Sequence, residues 1–267
     1  MSQAEPSVLP IYDRPDFYSG YSKLARSVDG LPSAHEWPTL RKMLGDISNV
    51  RVLDLGCGFG YFCRWAQHEA GARSVHGVDV SARMLERARE LDADMHPQQQ
   101  QQEGSKAVSY SREDLKTITL EKGRYDLVYS SLALHYLPTP SFQRLVREVR
   151  NTLVPGGRFV FSVEHPIFTA PIPPDTTFRA SGEGDARMWP LDSYADEGPR
   201  VRNWLADGVI KQHRTVEAYV SGVLEAGFVL KELREWMPSE EYVRENPTDA
   251  GERDRPLFLL IAAEVRK

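Results

Sequence analysis

Two kinds of hydrophobic pattern alternate along the chain. Short runs of β-branched residues and leucine are typical of buried strands, whereas apolar residues at helical spacing are typical of amphipathic helices. The predicted strands are residues 50–55, 74–80, 107–110, 125–130, 158–163, 228–233 and 257–265. Strands and helices that alternate in this way predict an α/β fold with a parallel sheet and helices on both faces. The last two strands are joined without a helix, which predicts an antiparallel final hairpin.

Two segments depart from this rhythm. Residues 1–48 are rich in aromatic residues and prolines, and they predict a lead-in with one or two short helices before a main domain at 49–267. Residues 165–212 contain many prolines and few periodic apolar positions. Since so long an irregular stretch within a domain is usually functional, we expect an N-terminal lid and a substrate lid inserted after the fifth strand. The glutamine tract at 98–102 predicts a surface loop without chemistry.

Composition narrows the possible functions. The chain has 267 residues, 41% of them hydrophobic, with a formal net charge of -5. No basic patch of the kind that binds nucleic acids is visible, and no apolar run reaches the ~20 residues of a membrane span. No signal peptide is apparent, so we expect a cytoplasmic protein. Two cysteines are too few for a disulfide scaffold or a four-cysteine zinc site, and we predict no metal. The oligomeric state leaves no signal in the sequence.

A strand followed by glycines is the strongest local signal. The first predicted strand leads into Gly56, Gly58 and Gly60 and then into a helix. Glycines let a ligand approach the backbone, and the N–H groups at a helix start can bind it. The dinucleotide fingerprint G-x-G-x-x-G needs a glycine where Tyr61 stands. Asp54 would repel phosphates, but it can accept hydrogen bonds from an ammonium group.

Two more carboxylates are expected at the same edge of the sheet. Asp79 ends the second strand, where it can bind both hydroxyls of a ribose. Asp114 follows the third strand and can accept a hydrogen bond from the exocyclic amine of adenine. The carboxyl ends of parallel strands form the ligand crevice of an open α/β sheet. The three acids and the glycine loop therefore imply a ligand with an amine, a ribose and an adenine but no phosphate.

Five motifs resemble, in order, those of the class I S-adenosylmethionine-dependent methyltransferases. They are VLDLGCGFG at 52–60, VDVSARM at 78–84, EDL at 113–115, YDLVYSS at 125–131 and LVPGG at 153–157. The resemblance covers roughly residues 45–165 and is specific because the motifs occur together. It implies a Rossmann-like fold with a seven-stranded sheet, S-adenosylmethionine as cofactor and, in the small-molecule branch, an N-terminal aromatic lid.

The resemblance also implies which residues bind the cofactor. Tyr21 and Arg26 are expected near its carboxylate, and Met84 is expected to pack on the adenine. Structural alternatives stay open for four members of the set. Tyr21 and Arg26 alternatively belong to an ordinary packed helix with a solvated arginine, Asp54 alternatively only holds the loop, and Met84 alternatively belongs to the core. The predicted cofactor-binding residues are Tyr21, Arg26, Asp54, Gly56, Gly58, Asp79, Val80, Met84, Asp114, Leu115 and Ser130.

Histidines follow two neighbouring strands. His135 comes after the fourth strand and His165 after the fifth, so both are expected at the ligand edge. An imidazole with a near-neutral pKa suits proton removal from an acceptor, and Glu164 is placed to orient one. We predict a catalytic role for His165 and His135. The predicted substrate-binding residues are Tyr18, His135, His165, Trp204 and His213.

These observations predict methyl transfer from S-adenosylmethionine to an oxygen or nitrogen atom of a small-molecule acceptor. The need for a general base depends on the acceptor, since a carboxylate requires none. Two alternatives remain open: a cofactor-binding scaffold protein, and an NAD-dependent oxidoreductase, which Tyr61 disfavours. We expect a small-molecule partner, with no nucleic acid and no membrane.

Overall fold

A computed structural model of the protein describes residues 10–95, 108–174, 176–180 and 187–267. The loop predicted at 98–102 lies outside these ranges. Seven strands, numbered along the chain, form one sheet. They are β1 (Arg51–Leu55), β2 (Ser74–Asp79), β3 (Ser109–Arg112), β4 (Tyr125–Ser131), β5 (Leu153–Glu164), β10 (Phe228–Trp236) and β11 (Phe258–Val265). Their order in the sheet is β10-β11-β5-β4-β1-β2-β3.

The pairing of the strands confirms the predicted fold class. Strands β1 to β5 pair in parallel, which places the carboxyl ends of the first, second, fourth and fifth at one edge. Strand β11 lies antiparallel between β5 and β10, so the predicted antiparallel pairing of the last two strands is confirmed. The expected connection without a helix is wrong, because a short helix at Glu240–Glu245 lies between them. The fold is a Rossmann-like α/β sheet whose ligand edge is built by the strands that carry the motifs.

Helices cover both faces of the sheet and bury two apolar cores. Helices α3, α4 and α5 pack on one face, and α6 and α8 pack on the other. Within the described ranges, no helix combines the length and apolar composition needed to cross a bilayer. The helices are α1 (Pro15–Tyr21), α2 (Ala25–Val28), α3 (Trp37–Leu44), α4 (Tyr61–Arg64), α5 (Ala82–Met95), α6 (Thr139–Thr152), α7 (Pro166–Thr169), α8 (Val216–Glu225) and α9 (Glu240–Glu245).

Side-chain caps fix where two of the helices begin. Ser81 Oγ accepts a hydrogen bond from the Met84 N–H at 3.1 Å, as the predicted start of α5 requires. Thr215 Oγ1 accepts one from the Ala218 N–H at 3.1 Å at the start of α8. Both bonds satisfy donors that have no partner inside the helix.

The segment after β5 is more regular than its sequence suggests. It contains a short strand pair, β6 (Arg179–Ala180) and β7 (Arg187–Met188), and a longer antiparallel ribbon, β8 (Gly198–Trp204) and β9 (Ala206–His213). The expectation of a segment without secondary structure is therefore wrong for residues 198–213. The turn of this ribbon reaches the ligand edge of the sheet.

The N-terminal segment, residues 10–44, lies over the same edge. It contains three short α-helices where one or two were expected. Tyr61 Oη donates to the Ser27 carbonyl at 2.9 Å, and Ser81 Oγ donates to Asp13 Oδ1 at 2.5 Å. Arg14 Nη1 donates to the Asp207 carbonyl of the ribbon at 3.3 Å. These bonds tie the segment to the glycine loop, to α5 and to the ribbon.

Candidate functional site

A cavity of about 1000 Å³ lies at the carboxyl edge of β1, β2, β4 and β5. The N-terminal segment and the ribbon β8–β9 cover it. Twelve of the predicted site residues line it, namely Tyr21, Arg26, Asp54, Gly56, Gly58, Asp79, Val80, Met84, Asp114, Leu115, His135 and Trp204. Tyr18, Ser130, His165 and His213 are not part of its wall.

Asp79 and the glycine loop form one unit. The Asp79 carboxylate accepts hydrogen bonds from the Gly58 N–H and the Ser81 N–H, each at 2.9 Å. Burial raises the pKa of this carboxyl, and the backbone N–H donors oppose that shift. Asp79 thus fixes the loop and presents a carboxylate to the cavity, where the predicted ribose contact requires one.

The glycines of the loop have different roles. A Cβ on Gly56 would come within 2.5 Å of the Ala133 Cβ, and one on Gly60 would collide with the Tyr110 hydroxyl. A Cβ on Gly58 would meet no heavy atom within 4 Å, although Gly58 has a φ of 53° and lines the cavity. The space above Gly58 is therefore open to a ligand that approaches the backbone. This arrangement fits S-adenosylmethionine.

Asp54 lies below the loop and is almost completely buried. Burial raises the pKa of its carboxyl to about 7, and a hydrogen bond from Cys63 Sγ, at 3.2 Å, opposes the shift. The nearby Asp79 adds to the upward shift. A carboxyl with a pKa near 7 is only partly ionised at neutral pH. An adjacent ammonium group would lower that pKa and favour the ionised form. Both alternatives from the sequence, loop support and ligand contact, are compatible with this position.

The opposite end of the cavity carries the residues predicted to contact the adenine. Met84 is buried, and Asp114 is exposed, with its Oδ1 accepting a hydrogen bond from the Lys116 N–H at 2.8 Å. Leu115 packs in the core beside them. The three acids thus follow the strand order along the sheet edge, from Asp54 through Asp79 to Asp114, and their contacts with a cofactor stay a prediction.

Arg26 reaches the cavity from α2, but it already has a partner. Its Nη2 donates to both carboxylate oxygens of Glu36 at 3.0 Å, and Glu36 is buried. The sequence did not single out Glu36. A cofactor carboxylate near Arg26 would share the guanidinium with Glu36.

Two predicted contacts are not brought to the cavity. Ser130 is fully buried and donates to the Leu55 carbonyl at 2.7 Å, a bond between β4 and β1. The Tyr18 ring packs against Arg83, whose guanidinium carbon lies 4.1 Å from the ring centroid. The structure therefore gives Ser130 and Tyr18 packing roles rather than the predicted ligand contacts.

His165 and His213 are corrected in the same way. His165 Nδ1 accepts from the Ile167 N–H at 3.0 Å, which caps α7, and its Nε2 lies 2.9 Å from Glu235 Oε1. The partner predicted for it, Glu164, points elsewhere. His213 Nε2 lies 2.9 Å from the Tyr194 carbonyl, and its Nδ1 lies 2.9 Å from Thr169 Oγ1. Both imidazoles use both nitrogens for internal bonds, so neither is available as a base.

His135 does line the cavity, on a 3₁₀ turn (Leu134–Tyr136) after β4. Burial lowers the pKa of its imidazole to about 4, so the ring is neutral at pH 7. Its Nδ1 accepts a long hydrogen bond from the Glu164 N–H at 3.4 Å, which favours the tautomer with the proton on Nε2. That tautomer and that pKa argue against a general base, whereas the position is suited to acceptor contact.

The sequence missed the role of Glu164 as a cavity residue. Successive side chains on a strand point in opposite directions. Glu164 points towards the cavity, so the next residue, His165, points away from it. Glu164 lines the cavity and forms an ion pair with Lys211 of β9.

Among the described residues, no group of three or more His, Cys, Asp or Glu side chains is placed to hold a metal ion.

Comparison with known proteins decides the family. A family model described as a methyltransferase domain matches residues 52–157. The crystal structure of an S-adenosylmethionine-dependent methyltransferase from Mesorhizobium loti is 44% identical, with a TM-score of 0.76, over 88% of this chain and 100% of that one. The chain belongs to the class I S-adenosylmethionine-dependent methyltransferases. A second solved structure, from Listeria monocytogenes, is 38% identical over 89% of this methyltransferase and 100% of that chain, with a TM-score of 0.74.

A curated relative with a named reaction matches over a shorter region. The ubiquinone biosynthesis O-methyltransferase of Coxiella burnetii is 31% identical over 125 residues, which is 46% of this chain and 47% of that protein. The matching region thus spans about half the length of that relative. Membership of the family shows that this chain is an enzyme that uses S-adenosylmethionine. The NAD-dependent and scaffold alternatives are therefore set aside.

Proposed function

We propose that this enzyme transfers the methyl group of S-adenosylmethionine to an oxygen or nitrogen atom of a small-molecule acceptor. The observation that carries the proposal is the continuity of the cavity. It runs from Gly58 and Asp79 to a chamber lined by His135, Tyr136 and Trp204. Its volume of about 1000 Å³ is at the upper end of the range for small-molecule sites, which suits a cofactor and a small acceptor together.

Positioning and water exclusion are the tasks of the chain's own residues. The bound cofactor supplies an electrophilic methyl group, and the reaction needs the nucleophile held in line with it. Tyr12 packs edge-on against Tyr21 and Tyr136, with ring centroids 5.1 and 5.9 Å apart, and so forms an aromatic roof. In this proposal, the described parts of the two predicted lids, 1–48 and 165–212, close over the acceptor and exclude water.

Two further facts support a small acceptor. The net charge of -5 opposes binding of the phosphate backbone of a nucleic acid. The Coxiella relative is named for O-methylation in ubiquinone biosynthesis, which favours oxygen as the atom to test first.

The proposal is tested by incubating the purified enzyme with methyl-labelled S-adenosylmethionine and a bacterial cell extract. The extract is then separated into small molecules, protein and nucleic acid. We expect label in the small-molecule fraction, and we expect the Asp79→Asn variant to lose that transfer. Label confined to the protein or nucleic-acid fraction would contradict the proposal.

A further inference from the structure

A buried carboxylate oxygen without a partner lies in the wall of the acceptor chamber. Glu164 is the last residue of β5, and its Oε1 accepts a hydrogen bond from Lys211 Nζ. Its Oε2 is buried and has no hydrogen-bond partner in the part of the chain that the structure describes. Leaving a buried charged oxygen unpaired is costly, so this atom indicates a place where a ligand supplies a donor.

The surroundings keep Glu164 ionised. Burial by itself would raise the pKa of the carboxyl, but the neighbouring cations, Lys211 above all and also Arg202, outweigh it and hold the pKa below the ordinary value. Lys211 is itself buried, with its ammonium 4.4 Å from the centre of the Trp204 ring. Glu164 Oε2 is therefore a hydrogen-bond acceptor at neutral pH and cannot act as a donor.

The charges around Glu164 restrict the chemistry of its partner. Lys211 already neutralises the carboxylate, and Arg202 adds a second positive charge nearby. A cationic amine would bring a surplus positive charge into a buried site, which is unfavourable. An anionic carboxylate would place two acceptor oxygens against each other. An uncharged hydroxyl supplies the missing donor without a new charge.

We propose that Glu164 Oε2 binds a hydroxyl group of an uncharged, flat acceptor, and that the pair Glu164–Lys211 selects this class of compound. The inference rests on the proposed function and deepens it. The ring of Trp204 and the rings of Tyr12 and Tyr136 supply the apolar faces that a flat molecule needs. Since Lys211 comes from β9, the insert takes part in recognising the acceptor.

The Glu164→Gln substitution tests this inference. Glutamine keeps the size of the side chain, and its carbonyl oxygen can still accept from Lys211. Its amide group then places a donor where Oε2 stood, facing the donor of the acceptor. We expect label transfer from S-adenosylmethionine to the small-molecule fraction to fall at least tenfold. S-adenosylhomocysteine affinity, measured by calorimetry, is expected to stay within twofold of wild type.

The matched control is Glu90→Gln. Glu90 is an exposed carboxylate on α5 that also pairs with an arginine, Arg87, at 2.9 Å. This variant removes the same charge outside the cavity, and it is expected to keep both transfer and cofactor affinity. Mass spectrometry of the wild-type product is expected to show the methyl group on the hydroxyl that Glu164 binds. The proton of that hydroxyl would pass to Glu164 Oε2, and the cofactor would leave as S-adenosylhomocysteine.

The outcomes separate this inference from the function beneath it. No label in the small-molecule fraction with the wild-type enzyme overturns the proposed function. Label on an amine or a carboxylate, or normal transfer by E164Q, overturns only the inference. If E164Q loses S-adenosylhomocysteine binding, Glu164→Asp replaces it, because it keeps the charge but retracts the carboxylate by one methylene group. Unchanged transfer by Glu164→Asp with intact cofactor affinity then overturns the inference.

Discussion

Asp79 fixes the loop with the same carboxylate that we propose for the ligand contact. Its two oxygens accept hydrogen bonds from the Gly58 and Ser81 N–H groups, and the same carboxylate borders the open space above Gly58. A side chain that shapes the loop and also contacts the ligand is sensitive to any substitution. Asp54 differs from it, because among the described residues its side-chain donor is the Cys63 thiol, a weak one.

Asp79→Asn is expected to weaken S-adenosylhomocysteine binding about 10- to 100-fold, the equivalent of one charged hydrogen bond lost. The new amide group turns a donor towards either the Gly58 or the Ser81 N–H, so the loop loosens as well. Isothermal titration calorimetry measures the change. Asp94→Asn, at an exposed position on α5, is the control, and an Asp79→Asn affinity equal to that of this control would refute the assigned role.

The pKa of Asp54 predicts a pH dependence of cofactor binding. If the ionised carboxylate accepts from the cofactor's ammonium, binding lowers a pKa that stands at about 7 in the free protein. Affinity for S-adenosylhomocysteine is therefore full above pH 7 and falls as the pH drops below it, by up to about tenfold per unit. Titrations from pH 5.5 to 7.5 measure this slope. His135, whose pKa is about 4, stays neutral throughout that range.

Asp54→Asn is the matched variant for this titration. It is expected to bind more weakly at pH 7.5 and to show a flatter pH profile. A variant profile as steep as that of wild type would assign the titration to another group, Asp79 being the next candidate because burial raises its pKa too.

Residue types and spacing were sufficient to place three acids in the wall of the cavity, but not to find the residues at its other end. Asp54, Asp79 and Asp114 follow from their positions at strand ends. The choice between Glu164 and His165 depends on which side of β5 faces the cavity, and adjacent positions on a strand face opposite ways. Spacing does not fix that register near a strand end, so the sequence favoured the wrong neighbour.

At the scale of elements, the ribbon β8–β9 inverts the usual pattern. Arg200, Arg202 and Lys211 are buried, whereas Val201 and Ile210, which pair across the strands, are 49% and 55% exposed. The buried cations bind backbone carbonyls and Glu164 instead of water. A strand whose apolar side chains face solvent lacks the pattern of a strand that packs on the core. The ribbon was therefore not predicted.

This inversion predicts an unusual result for two neighbouring substitutions. Arg202→Met removes donors to the Thr169 and Pro171 carbonyls and is expected to lower the free energy of unfolding by about 2–4 kcal/mol. Val201→Thr, at an exposed position, is expected to change it by less than about 0.5 kcal/mol. Urea denaturation measures both. The opposite order of effects would show that the ribbon packs with its other face inwards.

Most strands of the sheet, by contrast, could be predicted because they contain apolar runs bounded by turn residues. Strand β3 (Ser109–Arg112) is the exception, since it is polar and lies two residues beyond the predicted 107–110. The run at 158–163 was extended in the structure to begin at Leu153, since Pro155, Gly156 and Gly157 join β5 instead of preceding it. Local pattern therefore fixes the existence of these strands better than their ends.

At the scale of the molecule, the cavity belongs to no single segment. The sheet edge, the N-terminal segment and the ribbon meet there through contacts such as Arg14 to Asp207 and Ser81 to Asp13. Contacts between residues so far apart in the chain leave no local signal. The sequence could therefore predict two candidate lids, but not which of their side chains line the cavity.

Ligand binding is expected to stabilise this assembly selectively. S-adenosylhomocysteine at 100 times its Kd adds about 2.7 kcal/mol to the free energy of unfolding, which raises Tm by about 5 °C or more. NAD at the same concentration is expected to have no effect, because Tyr61 occupies the third glycine position of the dinucleotide fingerprint. Differential scanning fluorimetry compares the two, and stabilisation by NAD alone would contradict the site described above.

A crystal structure of the enzyme with S-adenosylhomocysteine measures how the cofactor product lies in the cavity. We expect its ribose hydroxyls on Asp79, its amino group beside Asp54 and its sulfur atom facing the chamber of His135 and Glu164. A sulfur atom that faces away from this chamber, or a ribose placed outside the reach of Asp79, would contradict this expectation.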